Sequence, residues 1–314
     1  MPQNCLIHHL KFEFSCDLKS DKLVLFRNIC HTLSYRPLVD LFLIPLLAAC
    51  IAAITLLSGF GLGTVLMPVF ALFFPIEIAI AATGVVHLAN NLFKLALVGK
   101  WADRTVALRF GIPAVIAAFI GAALLSLLTP AEPLHTYTLD WFSSGPGHTG
   151  GHVATITPAK LITALILAIF AALELLPAYQ RLALPPKFLS LGGFLSGFFG
   201  GLTGMQGALR APFLLRANLT KDQFVGTTNV VSTAVDLTRL LVYALGFTYL
   251  AKVKDYSVLT EPRTITLVTL TAAAGCVGSL LGKRFLRNIT LRTVRTLVAT
   301  LLFLLAALLA SGIA

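Results

Sequence analysis

The sequence predicts an all-α polytopic membrane protein built from two inverted-topology repeats, with about 8–10 membrane segments that include broken or re-entrant helices. Three observations indicate this fold class. Apolar residues make up 57% of the 314 residues and charged residues only 12%. With a mean hydropathy of +0.88, the chain has too few charges to coat a soluble core of this size. Apolar windows of membrane-spanning length recur, and each half contains one glycine- and proline-rich interruption.

The membrane-spanning windows are nearly free of charge. A helix rises 1.5 Å per residue, so about 20 apolar residues cross the hydrocarbon. The windows of this kind are 38–57, 76–98, 106–129, 159–179, 222–248, 264–282 and 293–312. Two further stretches, 59–74 and 188–216, are apolar but contain glycine and proline. We predict that these two are broken or re-entrant helices.

Charges in the connections predict which side of the membrane each one faces. Residues 130–158 contain no lysine or arginine but hold Glu132, Asp140 and three histidines, so this loop is expected outside the cytoplasm. Basic connections are expected inside, and their residues are Lys100, Arg104, Arg109, Arg181, Lys187, Lys283, Arg284, Arg287, Arg292 and Arg295. This distribution accounts for the net charge of +11 without a nucleic-acid partner.

An internal duplication is indicated by a shift of 144 residues, which aligns four residues of the first half with identical ones in the second. The pairs are Gly63 with Gly207, Pro68 with Pro212, Thr83 with Thr227 and Val86 with Val230. Each half reads as a glycine-rich break, a proline and then long spans, a pattern typical of duplicated transporters.

The orientation of matched spans predicts that the repeats are inverted. The span that opens at Glu77 should run inward, and its counterpart at Lys221 should run outward. The chain then divides into an amino-terminal extension (1–37), a first repeat (38–179) that includes the 130–158 loop, and a second repeat (180–314). Strict inversion places the extension outside, whereas its basic residues favour the cytoplasm, where we predict it.

The two breaks, at 58–68 and 199–212, require a structural or functional explanation, because an unpaired backbone group inside a bilayer costs roughly several kcal/mol. One explanation is close helix packing, which glycine permits. The other is an anion site, because a break exposes the positive N-terminal end of a half-helix at mid-membrane.

Arg210 favours the anion site. It follows the second break within an otherwise uncharged stretch, and an arginine inside a bilayer costs about 2.5–3.5 kcal/mol or more. Its guanidinium group binds oxyanions through two parallel hydrogen bonds. The alternative is that Arg210 extends to the cytoplasmic surface, as we expect of Arg216.

Polar residues after the breaks complete the candidate site. The substrate-binding candidates are Gly59, Gly61, Gly63, Thr83, Asn90, Gly204, Gln206, Gly207, Arg210, Thr227 and Asn229. Asp236 and Arg239 lie three residues apart, so they either neutralise each other or take part in proton coupling. His87 either titrates near neutral pH or forms an interhelical hydrogen bond. These three residues are the coupling candidates.

The breaks resemble those of the TauE/SafE sulfite-exporter family, in which each half begins with a glycine-rich stretch and a proline. The closest similarity is the run GGFLSGFFGGLTGMQGALRAPFLLRANLTKDQFVGTTNVV at residues 192–231, with Gln206–Arg210 as the Gln-Gly-Ala-Leu-Arg variant. The resemblance covers roughly residues 40–312. Two departures are Leu62, where the family often has glycine, and the long 130–158 loop. The resemblance implies an exporter of sulfite or small organosulfonates.

The sequence therefore predicts a transporter of a small anion in a bilayer, the bacterial inner membrane being the expected location. An anion channel and a non-transporting scaffold are alternatives, and homo-oligomer formation is left open. We expect no enzyme, because the sequence contains no HExxH or GxSxG motif. We also expect no cofactor or metal, since the five cysteines form no CxxC pair and no metal-ligand spacing. The weaker alternative is a metal site in the extension, which contains Cys5, Cys16 and Cys30 with His8, His9 and His31. A thiol–disulfide carrier is disfavoured because Cys50 and Cys276 have no cysteine at the matched repeat positions.

Overall fold

The helices of the computed structural model follow the predicted windows closely. The structure describes residues 41–53, 62–71, 74–139, 152–250, 261–285 and 291–313. The predicted extension (1–37), Gly59 and Gly61 lie outside these ranges. The helices are α1 Leu41–Ala53, α2 Leu62–Ala71, α3 Ile76–Val98, α4 Arg104–Leu128, α5 Pro158–Leu175, α6 Pro177–Gln180, α7 Leu189–Thr203, α8 Gly207–Leu214, α9 Lys221–Leu250, α10 Pro262–Phe285 and α11 Leu291–Ala310.

Membrane-spanning length and apolar composition occur together in four helices of the described residues. They are α3 with its following turn, α4, α5, and α10 as far as Leu281. The fold class predicted from composition is therefore confirmed as a helical membrane protein. The helix α9 has 30 residues and carries Asp236 and Arg239 in its buried interior.

Local signals set where these helices begin and end. The Asp103 carboxylate accepts the N–H of Val106 at 2.9 Å and caps α4, and the Thr157 hydroxyl accepts the N–H of Lys160 at 3.2 Å and caps α5. Both satisfy an N–H that a helix start leaves unpaired. At the other end of a helix, α7 stops at Gly204, whose φ of +82° favours glycine.

The side-chain pattern of α4 is the reverse of that in a soluble helix. Leu108, Ile112, Ile116 and Phe119 are all more than half exposed, and their spacing puts them on one helix face. The opposite face is buried at alanine and glycine positions such as Ala114. Because such an apolar surface is not stable in water, the outer face of α4 is a lipid-contacting face.

Glycines of α7 allow its backbone to lie directly against α4. A Cβ atom added at Gly197 would lie 2.0 Å from the carbonyl oxygen of Ala114. Gly193 and Gly201 lie one turn on either side of Gly197. Cβ atoms added there would lie 2.1 Å from the Phe110 carbonyl oxygen and 2.2 Å from the Ala118 carbonyl oxygen of α4. This repeated small-residue spacing is typical of close helix packing in membranes. Much of the glycine around the second break therefore serves packing, as the first explanation predicted.

Gly197→Ala is expected to destabilise the protein because its methyl group would overlap the Ala114 carbonyl and force α4 and α7 apart. Overpacking of this kind costs about 1–3 kcal/mol, which thermal unfolding in detergent would detect as a lower midpoint. Gly111→Ala is the matched control, since its Cβ would meet Val231 at an ordinary 3.5 Å. Equal midpoints for the two variants would contradict this packing.

The 130–158 loop contains the one departure from the all-α prediction within the described residues. Its described parts form two antiparallel strands, β1 His135–Leu139 and β2 His152–Ile156. The hairpin contacts the end of α11, where the Thr155 N–H donates to the Gly312 carbonyl at 3.0 Å. The Lys160 ammonium donates to the same carbonyl at 3.3 Å. Sequence patterns did not indicate these strands, because the pairing is stabilised by contacts with a distant helix end.

Candidate functional site

A buried carboxylate, Asp236 on α9, is the centre of the main polar cluster in the described residues. Its Oδ2 lies 2.6 Å from Nδ1 of His87 on α3 and accepts the Asn91 amide at 2.8 Å. Its Oδ1 accepts the Gln206 amide at 2.9 Å and the Arg239 Nε–H at 3.0 Å. Because an ionised carboxylate only accepts hydrogen bonds, Nδ1 of His87 is assigned as the protonated nitrogen.

Arg239 forms the ion pair predicted from its spacing to Asp236. Its Nη2 lies 2.8 Å from Oδ1 of Asp236, and both side chains are fully buried. A pair of this kind is stable in a low-dielectric interior only when further hydrogen bonds complete it. The amides of Asn91 and Gln206 provide them for the carboxylate.

Arg210 on α8 lies beside this cluster and is 3% exposed, so the alternative in which it extends to the surface is wrong. Its Nη2 donates to the Gln206 side-chain oxygen at 2.7 Å, and its Nη1 to the Thr228 carbonyl at 3.1 Å and to the Ser232 hydroxyl. All three acceptors are neutral. Among the described residues no carboxylate forms an ion pair with Arg210, and its Nε has no hydrogen-bond partner there.

The cluster therefore has an unbalanced positive charge. Among the described residues, the guanidinium groups of Arg210 and Arg239 lie near one carboxylate, Asp236, which Arg239 already neutralises. A buried charge without a counter-ion is strongly unfavourable. An anion bound near Arg210 would supply the missing negative charge and an acceptor for the free Nε–H.

The breaks position these side chains. Between α7 and α8 the chain turns at Gly204, Met205 and Gln206, and a Cβ added at Gly204 would lie 2.7 Å from Nη1 of Arg239. Gly63, in the first break, approaches the carbonyl of Gly204, since its added Cβ would lie 3.4 Å away. The same Cβ would lie 3.6 Å from the His87 ring. The start of α2 and the turn between α7 and α8 thus meet at one place, with His87 beside them.

Several residues singled out from separate segments are brought together here. They are Gly63, His87, Gly204, Gln206, Arg210, Asp236 and Arg239, with Gly207 as the first residue of α8. Thr83 lies one turn before His87 on α3, is fully buried, and its hydroxyl has no partner among the described residues.

Other predicted residues have contacts elsewhere. The Thr227 hydroxyl accepts the Asp103 N–H at 3.0 Å, at the turn between α3 and α4. Asn90 accepts the Ser279 hydroxyl at 2.7 Å, which connects α3 with α10. The Asn229 amide donates to the Val225 carbonyl of its own helix at 2.8 Å. The structure places none of these three contacts in the network around Asp236.

Two members of the network, Asn91 and Ser232, were not predicted as site residues. Asn91 follows His87 by four residues and Ser232 precedes Asp236 by four, so each shares a helix face with a predicted residue. Helical spacing was therefore the available signal. It is a weak one, because polar residues at this spacing also form contacts within a helix.

No group of three or more His, Cys, Asp or Glu residues in the described ranges has the geometry of a metal site. Cys50 and Cys276, the cysteines within those ranges, are both free thiols.

A polytopic helical membrane protein with a buried charged cluster beside the start of α2 and the turn between α7 and α8 is of the class that includes secondary transporters. The family model described as sulfite exporter TauE/SafE matches residues 44–309. The chain therefore belongs to the TauE/SafE sulfite exporter family, as the sequence resemblance predicted. Searches of curated proteins and of solved structures gave no match.

Proposed function

We propose that this protein transports a small oxyanion of the sulfite or organosulfonate class across the membrane, with Arg210 as the main anion contact. The observation that supports this most directly is the unbalanced charge of Arg210, which is buried among neutral acceptors. Membership of the sulfite exporter family supports the substrate class and export as the direction of transport.

The start of α8 adds a second group of donors to the proposed site. The helix begins at Gly207 without a side-chain cap, so its first backbone N–H groups have no intrahelical acceptor. Such a helix end favours anions. Arg210 is in its first turn, and a guanidinium group together with free N–H groups suits an oxyanion with several acceptor oxygens.

For the mechanism we propose alternating access around the two breaks. In this proposal, α7–α8 forms a re-entrant hairpin, and α1–α2 forms its inverted counterpart from the other side. It is supported by similar packing in the two halves. Gly121 of α4 lies against the Phe198 carbonyl of α7, and Gly278 of α10 lies against the Ala49 carbonyl of α1. The other predicted contacts, Gly59 and Gly61, lie outside the described residues.

The central test is flux of labelled sulfite, sulfoacetate, sulfate and thiosulfate into vesicles that contain the purified protein. A carrier shows counterflow, in which solute inside the vesicle accelerates uptake of label, whereas an anion channel does not. A non-transporting scaffold shows no flux of any solute. Saturable sulfite or sulfoacetate flux with counterflow is the expected result, and its absence for every solute would reject the proposal.

Proton coupling through His87 is a further part of the proposal. Protonation of His87, which lies between Asp236, Asn91, Gln206 and Gly63, would add positive charge to a cluster that is already positive. Anion binding is therefore expected to strengthen when His87 takes up a proton. Sulfoacetate is the preferred test solute, because its own charge is constant at neutral pH.

His87→Gln is expected to flatten the pH dependence of sulfoacetate uptake, because glutamine cannot take up the proton that would add positive charge to the cluster. The measurement is initial uptake rate against pH, with and without a pH gradient. His135→Gln, at an exposed site in the hairpin, is the matched control and should keep the wild-type profile. A wild-type profile for His87→Gln would remove His87 from the coupling mechanism.

A further inference from the structure

The connection between α5 and α7, residues 176–188, contacts the helix that carries Arg210. The Tyr179 hydroxyl donates to the carbonyl of Ala208 at 3.0 Å, and the Leu184 N–H donates to the carbonyl of Pro212 at 2.8 Å. Arg210 lies between these two carbonyls on α8. The connection therefore holds the backbone of α8 on both sides of the proposed anion contact.

Proline chemistry explains why the Tyr179 contact is needed. In an α-helix the carbonyl of residue 208 accepts the N–H of residue 212. Residue 212 is proline and has no N–H to donate. The Ala208 carbonyl would be left without its helical donor, and the Tyr179 hydroxyl replaces it. The Pro212 carbonyl, near the end of α8, likewise lacks a helical donor and receives the Leu184 N–H.

A second carbonyl that a proline leaves without a helical donor also receives a side-chain hydroxyl. Pro113 lies inside α4, so the carbonyl of Arg109, four residues earlier, has no helical N–H donor. The Ser190 hydroxyl, at the start of α7, donates to that carbonyl at 3.3 Å. Two carbonyls freed by proline are thus satisfied by hydroxyl groups within residues 179–190. This repetition indicates that the region holds proline-containing helices in place.

The position of α8 determines where the Arg210 guanidinium lies. Its contacts to Thr228 and Ser232 on α9 require α8 to stay close to that helix. Loss of the Tyr179 bond would leave the Ala208 carbonyl without a donor and favour local opening of α8, which is only eight residues long. The guanidinium group would then spend less time in the position where it meets the anion.

We propose that Tyr179 is a positioning residue for Arg210, holding α8 through the carbonyl that Pro212 leaves unpaired. This inference rests on the proposed role of Arg210 in anion binding. It assigns the α5–α7 connection a part in anion affinity, although Tyr179 itself does not touch the anion. The effect is expected in KM rather than in the maximal rate.

The test is a double-mutant cycle with Tyr179→Phe and Pro212→Ala. Tyr179→Phe should raise both the KM for sulfoacetate uptake and the hydrogen–deuterium exchange rate of residues 207–214, by about 2- to 10-fold, which corresponds to one lost hydrogen bond. Pro212→Ala restores an N–H that can bond the Ala208 carbonyl. The double variant should therefore match Pro212→Ala alone in both measurements.

Tyr137→Phe is the matched control, because its hydroxyl bonds the Ser311 carbonyl at the hairpin and not α8. It should leave KM and exchange of residues 207–214 unchanged. The proposal is overturned if Tyr179→Phe leaves exchange of α8 at the wild-type rate, or if its effect in the Pro212→Ala variant equals its effect in the wild type. Hydrogen exchange needs no transport, so failure of the transport function and failure of this link are distinguishable.

Discussion

Arg210→Ala is expected to lower the apparent affinity for sulfite or sulfoacetate by about 10- to 100-fold. The reason is that Arg210 has the unbalanced charge of the buried cluster, and a hydrogen bond to a charged group contributes about 1.5–3 kcal/mol. Initial uptake rates over a range of solute concentrations in vesicles would measure the change. Because the charge that the anion offsets is then absent, the loss should also appear in equilibrium binding to the detergent-solubilised protein.

Two companion variants make this prediction specific. Arg210→Lys keeps the charge but loses the planar pair of donors, so it should be intermediate. Arg216→Ala removes an exposed arginine just beyond α8 and should transport as the wild type does. Normal transport by Arg210→Ala, at wild-type protein levels, would reject Arg210 as the anion contact. An equal loss in Arg216→Ala would indicate a general charge effect instead.

Asp236→Asn is expected to destabilise the protein by about 3–5 kcal/mol, since breaking one partner of a buried ion pair leaves the other charge uncompensated. Arg239 would then be a second buried cation beside Arg210. The Asp236 carboxylate accepts hydrogen bonds from Asn91, Gln206 and Arg239. The NH2 group of an asparagine would face some of these donors and could not accept from them. The midpoint of thermal unfolding in detergent would measure the effect, and uptake should be lost along with stability.

The ion pair can be separated from other roles of Asp236. In Asp236→Asn/Arg239→Met the uncompensated charge is gone, so the unfolding midpoint should rise above that of Asp236→Asn alone. Asp222→Asn, at an exposed position in the first turn of the same helix, is the control and should change stability little. A wild-type midpoint for Asp236→Asn would show that the pair contributes little to folding.

Apolar length predicted the helices well, because composition and length indicate which segments can cross a bilayer, and a crossing segment satisfies its backbone polar groups as a helix. The window 76–98 coincides with α3, Ile76–Val98. The Asp236–Arg239 pair was also predictable, since both residues are on one helix face. Arg210 followed from the rarity of an arginine inside an apolar stretch.

Contacts between distant segments were not predictable from one sequence. Thr227 was assigned to the site as a polar residue that follows the second break and aligns with Thr83, yet its hydroxyl accepts the Asp103 backbone N–H. Identical residues that a sequence shift aligns do not share an environment when their neighbours differ. The hydrogen bond from Tyr179 to Ala208 depends on how the α5–α7 connection folds back, and no local pattern encodes that path.

The sequence by itself determined that the chain is a helical membrane protein of the TauE/SafE family and that its charge at Arg210 lies within an apolar segment. These properties follow from composition and local motifs, because apolar length determines which segments cross the bilayer and a crossing segment forms a helix. Only the tertiary structure decided which polar groups meet. It brought His87, Asp236 and Gln206 together from three segments, and it left Arg210 without a counter-ion among the described residues. Hydrogen-bond partners and charge balance depend on how helices pack, and packing cannot be read from one segment.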